Sequence, residues 1–233
     1  MKQGRVAITG AAGAMGSVVA RHFAEAGWRL GLIDYAEERI AELRRDFPDA
    51  HAVAADLTDE KAARHAIESI EEEAGPVDAL LNIAGGFAMQ PADEAAPDDL
   101  AKMHQINFVT LFNTTRAVLP VMKARGEGLI LGVSAAAALD GAPGAALYAA
   151  GKASVAAYLK SLHAELRTDG VRTSVVYPMG VVDTPANRRA MPDSDPATWI
   201  ARDEIAESML HLARRTPRGH IRELKIFAPS IDS

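Results

Sequence analysis

Short apolar runs alternate with helix-period segments along the whole chain. The runs at 5–9, 28–34, 51–55, 77–84, 129–134, 173–177 and 224–227 are close to continuously apolar and predict strands. Between them, apolar positions recur with helical spacing near 14–26, 36–46, 59–74, 98–124, 146–168 and 202–215. Strands apolar on both faces, each followed by a helix, predict a parallel sheet covered on both sides, hence an α/β fold. No change of composition marks a second domain, so residues 1–233 read as one unit. Residues 178–200 break the rhythm. This stretch is Pro-rich and irregular, the character of a lid or binding loop.

Composition narrows the function classes. The chain has 233 residues, 48% of them hydrophobic, enough for a sizeable core. Its formal charge of −6 argues against a nucleic-acid surface. No run approaches the ~20 apolar residues of a membrane span. There is no cysteine, which removes thiol catalysis, thiolate metal sites and disulfides. The seven histidines show no ligand spacing, so no metal site is expected. A first strand already at 5–9 leaves no signal-peptide layout, and the expected compartment is the cytoplasm.

Candidate chemistry begins at the first strand-helix junction. Thr9-Gly10-Ala11-Ala12-Gly13-Ala14-Met15-Gly16 offers small residues that let backbone approach a pyrophosphate. The following helix N-terminus adds unpaired N–H groups and the positive end of a dipole. The bland alternative is a turn chosen only for tight packing. Asp34 closes the second strand, where a carboxylate can accept bonds from both adenosine ribose hydroxyls and repel the extra phosphate of NADP. Neither Ala11, Ala12 nor Tyr35 supplies the arginine that such a phosphate wants, so NAD is the expected cofactor. Asp56 either meets adenine or caps the helix that starts near Asp59.

Tyr148 and Lys152 stand four apart in Tyr-Ala-Ala-Gly-Lys, which puts them on one helix face. A phenol ordinarily titrates near pH ~10, and an ammonium within ~4–6 Å favours the phenolate. The pair is therefore expected to trade a proton near neutral pH.

With these features in order, the chain resembles the short-chain dehydrogenase/reductase family over essentially its whole length. The carriers are the glycine turn, Asp34, Asn82-Ile83-Ala84-Gly85, Asn107, and Tyr148 with Lys152. The resemblance implies a doubly wound, seven-stranded parallel sheet of Rossmann type and a nicotinamide cofactor at the strand C-termini. It implies that Tyr148 protonates the substrate, Lys152 holds the nicotinamide ribose, and Asn107 holds a water leading to Lys152. Asn107 could instead bond a helix carbonyl. Cofactor contacts are implied for Gly10, Gly13, Met15, Gly16, Asp34, Asp56, Leu57, Asn82, Ala84, Gly85, Tyr148, Lys152, Val182 and Thr184. Homodimers or homotetramers through the 98–124 and 146–168 helices are also implied.

One family residue is absent. The serine thirteen positions before the tyrosine is Ala135 here, with Ser134 one place earlier. Ser134 either recovers the catalytic role or serves the strand end, because side chains alternate along a strand. The alanine, together with Ala84-Gly85-Gly86-Phe87, 137–141 and 183–188, resembles the dihydropteridine reductase subgroup. The expected reaction is NADH-dependent reduction of a carbonyl or quinonoid group on a small substrate, with quinonoid dihydropteridine the first named candidate. A general ketone/alcohol or 3-oxoacyl reductase is the alternative. A dinucleotide sensor without chemistry is the rival from another class.

Overall fold

The computed structural model describes residues 4–229. The predicted strand-helix alternation is realised as one parallel sheet. Its strands are β1 (Arg5–Thr9), β2 (Arg29–Asp34), β3 (His51–Ala54), β4 (Ala79–Asn82), β5 (Gly128–Val133), β6 (Val171–Met179) and β7 (Glu223–Phe227). Their order is β3-β2-β1-β4-β5-β6-β7. The helices are α1 (Gly16–Glu25), α2 (Glu37–Asp46), α3 (Glu60–Ala74), α4 (Pro97–His104), α5 (Thr110–Arg125), α6 (Ala137–Asp140), α7 (Ala146–Glu165), α8 (Pro185–Ala190) and α9 (Arg202–Arg214).

Alternation along the strands divides the core in two. Val6 and Ile8 of β1 join Leu30 and Leu32 of β2 under α1, α2 and α9, through Val19, Phe23, Ile40, Ile205 and Met209. Ala7 and Ile33 face the other layer with Leu80 and Ile130, beneath Ile67 and Ile70 of α3, Val118 and Met122 of α5, and Leu159 of α7. Both faces are dry, which explains why the strands read as unbroken apolar runs rather than alternating ones.

The chain first builds outward from β1 to β3, then crosses back to place β4 on the other side of β1. That reversal opens a crevice beyond the C-termini of β1 and β4, the usual ligand position in such sheets. Two departures from the predicted elements matter. The 98–124 helix is divided by a π turn, Gln105–Val109, between α4 and α5. The 178–200 segment is more ordered than a bare loop: it carries α8, a 3-10 turn (Pro196–Thr198), and a bridge from Val182 to Ile200. Trp199 is buried at its far end and anchors it.

Candidate active site

A cleft of about 690 Å³ occupies the crevice. Its walls include Gly10, Gly13, Met15, Gly16, Asp34, Asp56, Leu57, Ala84 and Gly85. Backbone proximity explains the glycines. Gly10 has φ +64°, and a Cβ there would stand 2.9 Å from Ala84 Cα. A Cβ on Gly16 would lie 2.1 Å from the Gly10 carbonyl oxygen, so α1 could not start so close to β1 with any larger residue. The cradle that dinucleotide phosphates require is thus shaped by absent side chains, and the residues present fit such a group.

The two halves of the sheet are tied at this point by Thr9. Its hydroxyl oxygen accepts bonds from the backbone N–H groups of Ile83 and Ala84, both at 3.0 Å. Asn82 lies just before them, buried, and its side-chain carbonyl accepts from Thr114 at 2.7 Å. Its Nδ2 is buried without a partner. Asn113 braces the opposite wall by donating to the carbonyls of Leu57 and Thr58. Thr9, Asn113 and Thr114 were not among the expected site residues. Thr9 belongs to the glycine turn, but nothing in the sequence pairs Asn113 or Thr114 with segments some thirty to fifty residues away.

Asp34 is buried at the head of the cleft. Its carboxylate accepts from Ala12 N–H and Tyr35 N–H, both at 2.9 Å. An ionised carboxylate has about four acceptor positions, so two remain for ribose hydroxyls. Ala11, Ala12 and Tyr35 supply no arginine, but one arrives from further along the chain. Arg39, from the first turn of α2, lines the same cleft, approaches Asp34 Oδ1 at 3.5 Å and donates to the Ala12 carbonyl. Arg202 of α9 reaches the other end of the turn and donates to the Ala14 carbonyl at 3.1 Å.

Asp56 lines the cleft and does not cap the helix. Its oxygen accepts from the backbone N–H and hydroxyl of Thr58, while Asp59 caps α3. Val182 and Thr184 lie outside the lining of the cleft, as do Asn82, Tyr148 and Lys152. The Val182 carbonyl accepts from Asn187 Nδ2, and Thr184 caps α8. Arg188 is paired with Asp183 through two short bonds, which holds the Asp183 carboxyl below its ordinary value.

The expected catalytic pair lies on α7. Lys152 is buried, and its ammonium donates to the Val133 carbonyl at 3.1 Å. Burial pulls its pKa down to about 8. Its Nζ is 5.9 Å from the centroid of the Tyr148 ring. Phe87 packs edge-on against that ring, with centroids 4.9 Å apart. Burial pushes the Tyr148 phenol up to about 12. This reverses the expectation of a lysine-lowered phenol. The ammonium points its bond at Val133, and desolvation outweighs its field at the hydroxyl. At neutral pH the phenol therefore keeps its proton and is an acid.

Ser134 does not replace the missing family serine. Its hydroxyl is buried and donates to the Lys152 carbonyl at 2.8 Å, so its candidacy as a substrate donor is corrected. Ala135 offers no hydroxyl. Asn107 makes the helix-carbonyl bond that the sequence left open. Within the π turn its Nδ2 donates to the Met103 and Gly86 carbonyls, and its Oδ1 accepts from Gly86 N–H. Gly85 sits between these groups: a Cβ there would meet Asn107 Oδ1 at 2.7 Å and Lys152 Nζ at 3.1 Å.

Similarity to known proteins agrees with this geometry. Residues 5–195 match the model of the short chain dehydrogenase family, and the chain belongs to that family. It is an oxidoreductase by that membership. A cyclopentanol dehydrogenase of Comamonas is 33% identical over 190 residues, covering 80% of this chain and 76% of the relative. Sulfoacetaldehyde reductase 2 of Chromohalobacter salexigens is 36% identical over 184 residues, covering 77% and 73%. The structure of a 3-ketoacyl-(acyl-carrier-protein) reductase from Brucella melitensis, complexed with NADH, superposes with a TM-score of 0.85 at 25% identity, over 97% of each chain. Among the described residues no helix is long and apolar enough to cross a membrane.

The Lys152 value has a consequence for stability. In the unfolded chain the side chain keeps its proton up to its ordinary 10.5, but in the folded chain only up to about 8. Between these values the unfolded state binds more protons, so this residue makes stability rise with pH. Below 8 the full cost of burying the charge is present. Lys152→Met is expected to be more stable than the parent at pH 7 by about 1–3 kcal/mol. That advantage should shrink across pH 8 to 10.5. Urea unfolding of both proteins at pH 7 and pH 10 checks it; an equal gap at the two values refutes the buried charge.

Proposed function

We propose that the protein is an NADH-preferring reductase of a carbonyl or quinonoid group on a small substrate. The observation that carries the reading is Tyr148 held beside buried Lys152, whose Nζ closes on Gly85 in the wall of a cleft cradled by glycines. A bound nicotinamide supplies hydride. Gly10, Gly13 and Gly16 would lie against its phosphates, and Asp34 would hold the adenosine ribose. Lys152 would face the second ribose. Tyr148 then gives its phenolic proton to the substrate heteroatom, and substrate positioning against it contributes the remaining advantage. Tyr148→Phe is expected to reduce kcat by about 10²–10⁴-fold, with cofactor affinity largely kept. Unchanged NADH consumption would remove the mechanism and revive the sensor reading.

The preference for NADH rests on Asp34. Its negative charge lies where the extra phosphate of NADPH would come, and Arg39 is already engaged by Asp34 and the Ala12 carbonyl. Asp34→Ala should lower kcat/KM for NADH by about 10–100-fold, the worth of one or two bonds to a charged group. It should lower the NADPH value less. Equal loss with both cofactors is the contrary result.

Two substrate classes are supported on different grounds. Ala135 and the inward-turned Ser134 leave Tyr148 without a hydroxyl partner, which suits a quinonoid dihydropteridine whose reduction needs one proton donor. The exposed faces of Phe87 and Met89 offer an apolar rim for such a flat ring. Similarity to a cyclopentanol dehydrogenase, a sulfoacetaldehyde reductase and a 3-ketoacyl reductase supports simple ketones or aldehydes equally well. Steady-state rates with quinonoid dihydropterin and a ketone panel divide the two: brisk ketone turnover without pterin activity rejects the first. Assembly as a homodimer or homotetramer is part of the same proposal, with the Phe108, Phe112 and Tyr158 rings on the π turn, α5 and α7 as the contact.

A further inference from the structure

At the opposite end of the sheet from the cleft, five basic side chains converge. His163 comes from the last turns of α7 and Arg167 from the 3-10 turn after it (Leu166–Thr168). Arg172 is the second residue of β6, and His220 and Arg222 precede β7. The His163 and His220 rings are neighbours tilted by 30°, with centroids 5.5 Å apart. His220 Nε2 is held by the Thr173 carbonyl at 2.8 Å, which turns its Nδ1 edge away from β6.

Nothing of opposite charge completes the group. His163 Nδ1 and Arg172 Nη1 are both buried without a hydrogen-bond partner. Glu223 feels Arg222, but its carboxylate is engaged by Lys160 at 2.7 Å and by the Tyr177 hydroxyl at 2.9 Å. Asp169, at the end of the same turn, pairs with Lys123 on α5. Among the described residues, Arg167, Arg172 and Arg222 form no ion pair, and charge repulsion within the cluster adds to burial in holding both imidazoles below their ordinary value. A buried guanidinium nitrogen facing like charges is destabilising unless an anion answers it. A neutral partner would satisfy the donor but not the field.

We propose that Arg172, His163 and His220 form a binding site for a small oxyanion of the phosphate type, bordered by Arg167 and Arg222. Arg172 offers a fork that matches two oxygens, and His163 Nδ1 offers a third donor once protonated. Binding neutralises the field on the imidazoles, so the anion and protons at His163 and His220 bind together. Affinity therefore rises as pH falls. The groups that set this dependence are Lys160 and His163 on α7, Arg167 after it, Arg172 on β6, His220 and Arg222 before β7, and Glu223 on β7.

The test is a titration of the intact protein with inorganic phosphate at pH 6, ionic strength held constant with sodium chloride. Long-range ¹H–¹⁵N spectra of the imidazoles provide the readout, with His163→Gln and His220→Gln assigning the two signals. These signals report on the cluster alone, so phosphate entering the dinucleotide cleft does not mimic the effect. Both should move saturably at millimolar phosphate, and both titration midpoints should rise. Arg172→Gln should weaken phosphate at least about tenfold, and Arg172→Lys, which keeps the charge without the fork, should fall between. If Arg172→Gln does not fold, Arg172→Lys alone still decides. Signals that do not move, that drift without saturation, or that respond alike in parent and Arg172 variants mean an adventitious ion only and overturn the site.

Discussion

A buried lysine without a carboxylate partner sets where α7 and Tyr148 sit against the sheet. Lys152 is joined to the end of β5 by two bonds of opposite sense: its ammonium donates to Val133, and its own carbonyl accepts from Ser134. These bonds fix α7 in both height and rotation against the sheet. Tyr148, one turn earlier, is placed by the same attachment. The cost is a charged group in a dry setting, visible as a pKa drawn down to about 8. Charge and position are coupled, because the lysine that serves the site also fastens the helix that carries it.

The cofactor end follows a different rule. There the structure depends on what is missing. Gly10, Gly16 and Gly85 allow backbone and polar side chains to approach where any Cβ would collide. Thr9 then ties β1 to the segment after β4 across the switch point, with one hydroxyl answering two N–H groups. The sheet order makes the crevice, and these small contacts give it a floor and two walls. Phe87 completes the site from the loop after β4, laying its edge on Tyr148 while leaving much of its own ring open.

Much of this was legible in the residues taken in order. Apolar runs located all seven strands to within a few residues, since strands buried on both faces leave an unmistakable record. The glycine turn, Asp34, and Tyr148 with Lys152 all fall at one end of the sheet, as their spacing implies. Other readings failed for identifiable reasons. The phenol was expected to be lowered by its lysine, but four-residue spacing gives proximity and says nothing of where the ammonium points or how dry the phenol is. Arg39 was overlooked because it lies five residues past Asp34, and only the start of α2 turns it back into the cleft.

Local pattern therefore settled the elements, their parallel arrangement and the residues able to do chemistry. These depend on periodicity, turn geometry and side-chain type, all carried by near neighbours in the chain. Tertiary structure decided the use of the polar groups whose partners are distant in the chain. Ser134 turned to the Lys152 carbonyl and Asn107 to Gly86, whereas Asp56 met Thr58 and Arg188 met Asp183 within their own segments. A hydrogen-bonding side chain takes the best partner within about 3 Å, and the partners most telling for the site here, the Lys152 and Gly86 carbonyls, came from segments eighteen and twenty-one residues away.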